Sequence, residues 1–300
     1  MSAHLAAFGK HPGWDDHIDD LGLDTPELVS AKRMLYVEGV AGNVDAGAWE
    51  ALEADARLDT FDHLFAWRYP GGHVLTGALW SSSDGKGRKK YPMVVCAQLS
   101  GVSLAWALDS TLPVLSRLRE ECPHAETAER IRGLVDRSRG ALQAQVAAAE
   151  APTESFDSPG LLRQLSARPE LGPDALGLVR VLYQCERELS AYRTPKSGIS
   201  GRSSSFVIRA QHLRVPLGGE TPEQGLVTWH RFMLTQVDRS ASVLVVVPRG
   251  RPWVDVIVGE PTPAQFFCLR ASTRTMPLGS DIPYTLEPEF VSRVLREIGA

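Results

Sequence analysis

Cysteine is scarce in this chain. Four occur in 300 residues, Cys96, Cys122, Cys185 and Cys268, widely spaced and without a CxxC pair. That excludes a zinc ribbon or a disulfide framework and fits a reduced compartment. Cys96 and Cys268 stand in apolar runs, where a buried, inert thiol is expected. Long apolar runs are missing as well: stretches such as Val243 to Val247 are far too short to span a bilayer. The opening "MSAHLAAFGKHPGWDD" turns acidic after a few apolar positions, unlike a signal peptide. A cytoplasmic protein without membrane insertion is therefore expected. Nor is there an excess of positive charge, since the formal net charge is -4. A non-specific nucleic-acid binder needs a cationic face to release counterions, so no nucleic-acid partner is expected.

The signatures of catalysis are absent too. The serines at 81–83 and 203–205 lack a GxSxG elbow. Lys86 follows Gly85, but the earlier Gly and the trailing hydroxyl of a phosphate-binding P-loop are missing. "GKHPGWDDHIDD" crowds His11, Asp15, Asp16, His17, Asp19 and Asp20 together, yet it has neither HExxH spacing nor an EF-hand's closing Glu. Short acids before a helix more often cap turns and face water. No metal, cofactor or catalytic residue is expected. His63, His73 and His230 are isolated in chain order and read as satisfied structural residues; Trp49, Trp67, Trp80, Trp106 and Trp229 read as packing.

What is present is ordered in three parts. "HLAAFG" reads as an opening strand, and Thr25-Pro26-Glu27 as a helix start with Leu28, Ala31 and Leu35 on one face. Residues 62–70 and 73–82 form a hairpin around Gly71-Gly72, and "YPMVVCAQL" adds a third strand. From Ser103 to about Tyr192 the pattern is helical, with Ile131, Leu134, Val135, Leu142 and Val146 in one stripe. "APTESFDSPG" interrupts it, and 193–205 is the most linker-like stretch. "TPEQ" at 221–224 and "TPAQ" at 262–265 are helix-start boxes, with two strands between them and an amphipathic helix in "EPEFVSRVLREIG". The expected class is α/β, with α+β as the variant: a central, mostly antiparallel sheet layered with helices and a largely helical middle. The expected divisions are 1–120, 121–197 and 198–300, packed as one unit.

Two loops carry the functional argument. Asp84-Gly85 is a strong turn pair, and Asp84 can accept turn N–H groups or pair with Arg88. Lys86, Arg88, Lys89 and Lys90 make the same tip cationic. It is either a solvated structural turn or a surface for an acidic partner or anion, and both readings stand at this point.

Together the loops resemble the TagF family, accessory proteins of bacterial type VI secretion. "AAFGKHPGWDD" is similar to that family's opening FGK-x-P-x-x-x-D, through Phe8, Gly9, Lys10, Pro12 and Asp16. "GALWSSSDGKGRKKYPMVV" is similar to its second landmark, through Ser82, Asp84, Gly87, Arg88, Tyr91 and Pro92. His17 stands where the family has an aromatic residue, and "VIVGEPTPAQFFCLR" is weakly similar to a later family segment. The resemblance implies a non-enzymatic, post-translational repressor of secretion assembly that binds a protein partner, a forkhead-associated-domain scaffold. It also implies that Gly9, Lys10, Pro12, Asp16, Ser82, Asp84, Gly87, Arg88 and Pro92 organise loops or bind, with Lys10, Asp16, Asp84 and Arg88 gathering at one sheet edge. The alternative is an enzyme or a phosphate- or anion-binding protein using the Lys10/Arg88 neighbourhood.

Overall fold

Alternation of side chains to opposite faces is what turns the apolar runs into one sheet with two buried sides. In the computed structural model, which describes residues 1–149, 157–172, 175–193 and 209–299, the strands are β1 (Ser2–Gly9), β2 (Asp62–Arg68), β3 (Val74–Ser81), β4 (Pro92–Ser100), β5 (Gln211–Pro216), β6 (Val243–Pro248) and β7 (Trp253–Val258). They form a single seven-stranded sheet in the order β1-β4-β3-β2-β6-β7-β5. Every neighbouring pair is antiparallel. The α/β class with an antiparallel sheet is therefore what the chain adopts.

Successive residues supply opposite cores. Leu64 and Ala66, Val95 and Ala97, and Val245 and Val247 face one core. Phe65 and Trp67, Val94 and Cys96, and Leu244 and Val246 face the other. The first is covered by α3 (Leu104–Glu121), α4 (Ala128–Ala147) and α7 (Pro222–Gln236), with α5 (Ser158–Ser166), α6 (Leu176–Glu188) and α8 (Pro288–Ile298) beyond. Both faces of the sheet are thus buried, which explains strands that read as nearly unbroken apolar runs.

The second core is covered by one irregular helical stretch and a short turn. Thr25 caps α1 (Pro26–Ala31), its hydroxyl accepting the Leu28 N–H at 3.2 Å. The chain then widens into a π-helical segment, Lys32–Val40, and closes with α2 (Ala41–Asp45). Gly39 lies where this segment meets Phe266: a Cβ there would come within 2.8 Å of the ring. Phe266 belongs to the 3-10 turn Pro263–Leu269, where the capping box of Thr262 and Gln265 is present as expected. The box opens this 3-10 turn and not an α-helix. Phe266 and Leu269, three apart, both point into the core, and three residues per turn is the winding that stacks them.

The helical middle runs as expected, with Ile131, Val135, Leu142 and Val146 buried on α4. The break at 151–160 lies in part, and the stretch 193–205 all but Arg193, outside the described residues. Among the described residues no helix is long and apolar enough to cross a membrane.

Candidate functional site

The two landmark loops meet because of the β1–β4 register. Gly9 pairs with Met93 at the end of both strands, so the chain leaving β1 passes the chain entering β4. Gly9 is obligatory there: its φ is +104°, and a Cβ would lie 2.2 Å from the Pro92 carbonyl oxygen. Lys10 N–H then donates to that same carbonyl at 3.1 Å. Across from it the Asp84 turn closes on itself. The Asp84 carboxylate accepts the backbone N–H of Lys86 and of Arg88, each at 3.0 Å, and Gly87, with φ +76°, completes the bend. Gly85 N–H donates to the Trp14 carbonyl at 2.7 Å, tying the turn to the first loop.

Four charged side chains fill the corner. Lys10 Nζ donates to Asp84 Oδ2 at 2.8 Å and to Asp16 Oδ1 at 2.6 Å. Arg88 Nε donates to Asp84 Oδ2 at 2.6 Å, and Nη2 to Asp16 Oδ1 at 2.9 Å and to the Asp15 carbonyl at 3.0 Å. Two cations face two carboxylates, and His17 Nδ1 joins at the exposed end, 3.1 Å from Asp16 Oδ1. The set is also graded in depth: the side chains of Asp84 and Lys10 are 0% and 3% exposed, whereas those of Arg88 and Asp16 are 53% and 65% exposed. Burial pushes the Asp84 carboxyl up, but the Lys10 ammonium and the Arg88 N–H and guanidinium outweigh it and hold the group well below the usual carboxylate range. The Lys10 hydrogen bond likewise lowers Asp16. Pro12 and Ser82 sit in these loops without entering the ion network, and Pro92 contributes its carbonyl. The Asp84 turn is thus both things the sequence allowed, a self-closed turn and a partner for Arg88.

The depth difference sets an expected result. Lys10→Met, which strips the buried carboxylate of its buried cation, lowers the melting temperature more than Arg88→Met, whose charge is half in water and screened. Equal shifts in paired thermal melts would contradict this graded picture.

The other acids and histidines of the first loop disperse to separate partners. His11 turns inward, one ring nitrogen 3.0 Å from the Cys122 carbonyl and the other accepting Gly13 N–H. Asp19 accepts from Trp14 Nε1 and Arg132, and Asp20 from Lys32. His17 packs edge-on against Tyr36 and Tyr91, centroids 5.8 and 5.9 Å away, as an aromatic residue would.

Sequence reasoning missed what lies beside this corner. A groove of about 800 Å³ opens between the π-helical segment and the tip of the Asp84 turn, with Tyr36, Val37, Tyr91 and Ile18 among its apolar lining and Lys32, Lys89 and Lys90 among its polar lining. Val29 and Val37 are two of the three exposed large hydrophobic residues among the described residues. The available signal was their position: both fall off the Leu28, Ala31, Leu35 stripe of a helix that already has its core face.

A second buried charge pair lies at the far edge of the sheet. Arg214 and Asp255 face each other across β5 and β7 and form a bidentate pair at 2.8 and 2.9 Å. Arg214 also donates to the carbonyls of Ala271, Ser272 and Cys268, and its guanidinium lies 5.0 Å from the Trp253 ring centroid. His212, Asp255 and Cys268 bring three potential metal ligands within 4.8 Å of one another. The guanidinium already occupies both Asp255 oxygens, and burial raises the Cys268 thiol far above its ordinary range. This donor set is that of an ion pair, not of a cation site. Burial likewise lifts the thiols of Cys96, Cys122 and Cys185 to about 12, so none is a poised nucleophile.

Two histidines depart from the satisfied state expected of them. His63 accepts the Asp62 N–H and His230 lies 3.3 Å from the Val243 carbonyl, but His63 Nε2 and His230 Nδ1 are buried without a partner among the described residues. His73 is paired, with Nδ1 2.8 Å from Ser100 Oγ.

No protein-family model matches the chain, and no curated protein matches it. Among solved structures, the crystal structure of PA0076 from Pseudomonas aeruginosa PAO1 is similar over 95% of this chain and 98% of that one, with 18% sequence identity and a TM-score of 0.43.

Proposed function

We propose that this chain is a TagF-like, non-enzymatic regulator of bacterial type VI secretion that works by binding a protein partner. The observation that carries the reading is the junction of the two loops that resemble the family. Lys10 and Asp16 of the first meet Asp84 and Arg88 of the second in a charge-balanced corner. Groups already neutralised by one another are poor acids, bases or nucleophiles, and a rigid corner is a good platform for a neighbouring surface. The proposed partner is a forkhead-associated-domain scaffold of the secretion apparatus, and the proposed site of action is the cytoplasm.

The experiment is affinity capture with the tagged full chain from lysate of its native cells, followed by mass spectrometry, alongside a secretion assay under overproduction. Retrieval of a type VI secretion component and reduced effector release are expected. Capture of no such component, with unchanged secretion, removes the reading.

A further inference from the structure

We propose that the groove between the π-helical segment and the 86–90 tip docks an acidic protein segment bearing one apolar anchor side chain. This rests on the protein-binding reading above and supplies the chemistry of the partner.

Charge complementarity is the first argument. Five cations and one carboxylate line the groove, on a chain whose formal net charge is -4. Lys10, Lys32 and Arg88 are already paired with acids. Lys89 and Lys90 have no acid partner among the described residues, and both are exposed. Lys86, Arg88, Lys89 and Lys90 thus crowd into five positions with Asp84 buried beneath them. Such crowding is self-repulsive, and a row of carboxylates relieves it. A neutral apolar partner leaves that repulsion in place.

The second argument is the floor. Val37 is 52% exposed beside the rings of Tyr36 and Tyr91, which gives an apolar side chain a surface to cover. Tyr36 is 4% exposed, and its hydroxyl is buried with no hydrogen-bond partner among the described residues. Burial, aided by Tyr91 and Asp16, pushes that phenol well above its ordinary range, so it stays a donor. A buried donor left unmet is costly, which leaves this wall of the groove short of an acceptor. A groove of about 800 Å³ is within the usual size of sites that take one anchor side chain and its neighbours.

The test uses the full chain and fluorescein-labelled peptides read by anisotropy. One peptide holds a single Phe among Glu residues, a second holds the Phe among Gln residues, and a third has the Glu residues without the Phe. The Glu/Phe peptide is expected to bind about tenfold or more tightly than either control, and to weaken as salt is raised. Lys89→Glu with Lys90→Glu, and separately Val37→Ser, should each weaken it by about tenfold, while leaving the melting temperature unchanged because all three positions are exposed.

Equal binding of the Gln/Phe or Phe-less peptide would overturn the proposal, as would no binding at all. So would preferential binding to phosphatidylserine vesicles, or self-association in sedimentation that Val37→Ser abolishes. If affinity capture retrieves a secretion component that the groove variants still retain, the groove inference falls and the functional reading stands. If the Glu/Phe peptide binds as described but capture retrieves no such component, the reverse holds.

Discussion

Arg214→Met should destabilise the protein by about 3–5 kcal/mol, the usual cost of removing one member of a buried ion pair. The residue left behind is the reason. Asp255 is 1% exposed, and without the guanidinium its carboxylate keeps only the His212 contact at 2.9 Å. The carbonyls of Ala271, Ser272 and Cys268 lose a donor at the same time. Burial, the largest influence on Asp255, raises its pKa, and at present the Arg214 charge and the His212 hydrogen bond more than offset it, leaving the group lowered. In the variant burial is opposed by His212 alone, and the folded pKa rises above the unfolded one. A group raised on folding binds its proton more tightly in the folded state, so the variant's defect should shrink as pH falls. Adding Asp255→Leu should recover much of the loss, since an apolar pair of similar volume asks for no counter-charge. Urea unfolding of both variants checks this; a single variant as stable as the parent, or a double variant no better than the single, would refute the account.

Acid should unfold this protein early, starting near pH 6.5. Burial lowers His63 from 6.5 to about 4, with Asp255 and Asp62 opposing only in part, and lowers His230 to about 3, helped by the Arg68 charge. Both folded values lie below the unfolded one, so the unfolded chain takes up protons that the fold refuses. Stability is then complete above pH 6.5 and is lost as pH falls towards 4 and 3. Each histidine contributes a slope of about 1.4 kcal/mol per pH unit, so the pair together removes about 4 kcal/mol between pH 6.5 and about pH 5. Urea midpoints across that window should drop steeply, and His230→Leu should halve the slope. A flat profile, or a slope that the substitution leaves untouched, would mean that the rings are accommodated as cations. The ring surroundings fit the predicted sensitivity: a second proton on His230 falls on Nδ1, which has no hydrogen-bond partner among the described residues, and on His63 it falls on Nδ1, which faces the Asp62 N–H.

Local chemistry made much of the fold readable. Thr25-Pro26 and Thr221-Pro222 announce helices because a cap needs only its own next turn; Thr221 Oγ accepts the Gln224 N–H at 3.2 Å. Strands β2, β3, β4, β6 and β7 announce themselves through apolar runs bounded by turns. Strand β5 does not. Its "HLRVP" carries a His and an Arg whose acid stands on β7, and nothing local in the sequence predicts that pairing. The π-helical winding of Lys32–Val40 is also invisible, and its packing partner at Gly39, the Phe266 ring that leaves no room for a Cβ, comes from a distant part of the chain.

The site divides in the same way. The Asp84–Arg88 turn was legible as a unit, being closed by bonds over four residues. Its union with Lys10 and Asp16 depends on the register that sets Gly9 opposite Met93, and here the family resemblance supplied the hint. The groove went unseen because its two walls, the helical segment and the cationic tip, are brought together only by the sheet.

The pairing of β2 with β6 has a consequence for synthesis. Trp67 lies opposite Leu244, so the interior of the sheet closes only when a strand from the last quarter of the chain arrives. Until the ribosome has released that segment, β2 offers an open hydrogen-bonding edge beside Phe65 and Trp67. A nascent chain in that state is exposed to strand-to-strand aggregation, and fragments ending before residue 243 inherit the same exposed edge permanently. Shortened versions of this protein should therefore collect in the insoluble fraction, and substitutions in the full 300-residue chain are the sounder test of the proposed docking groove.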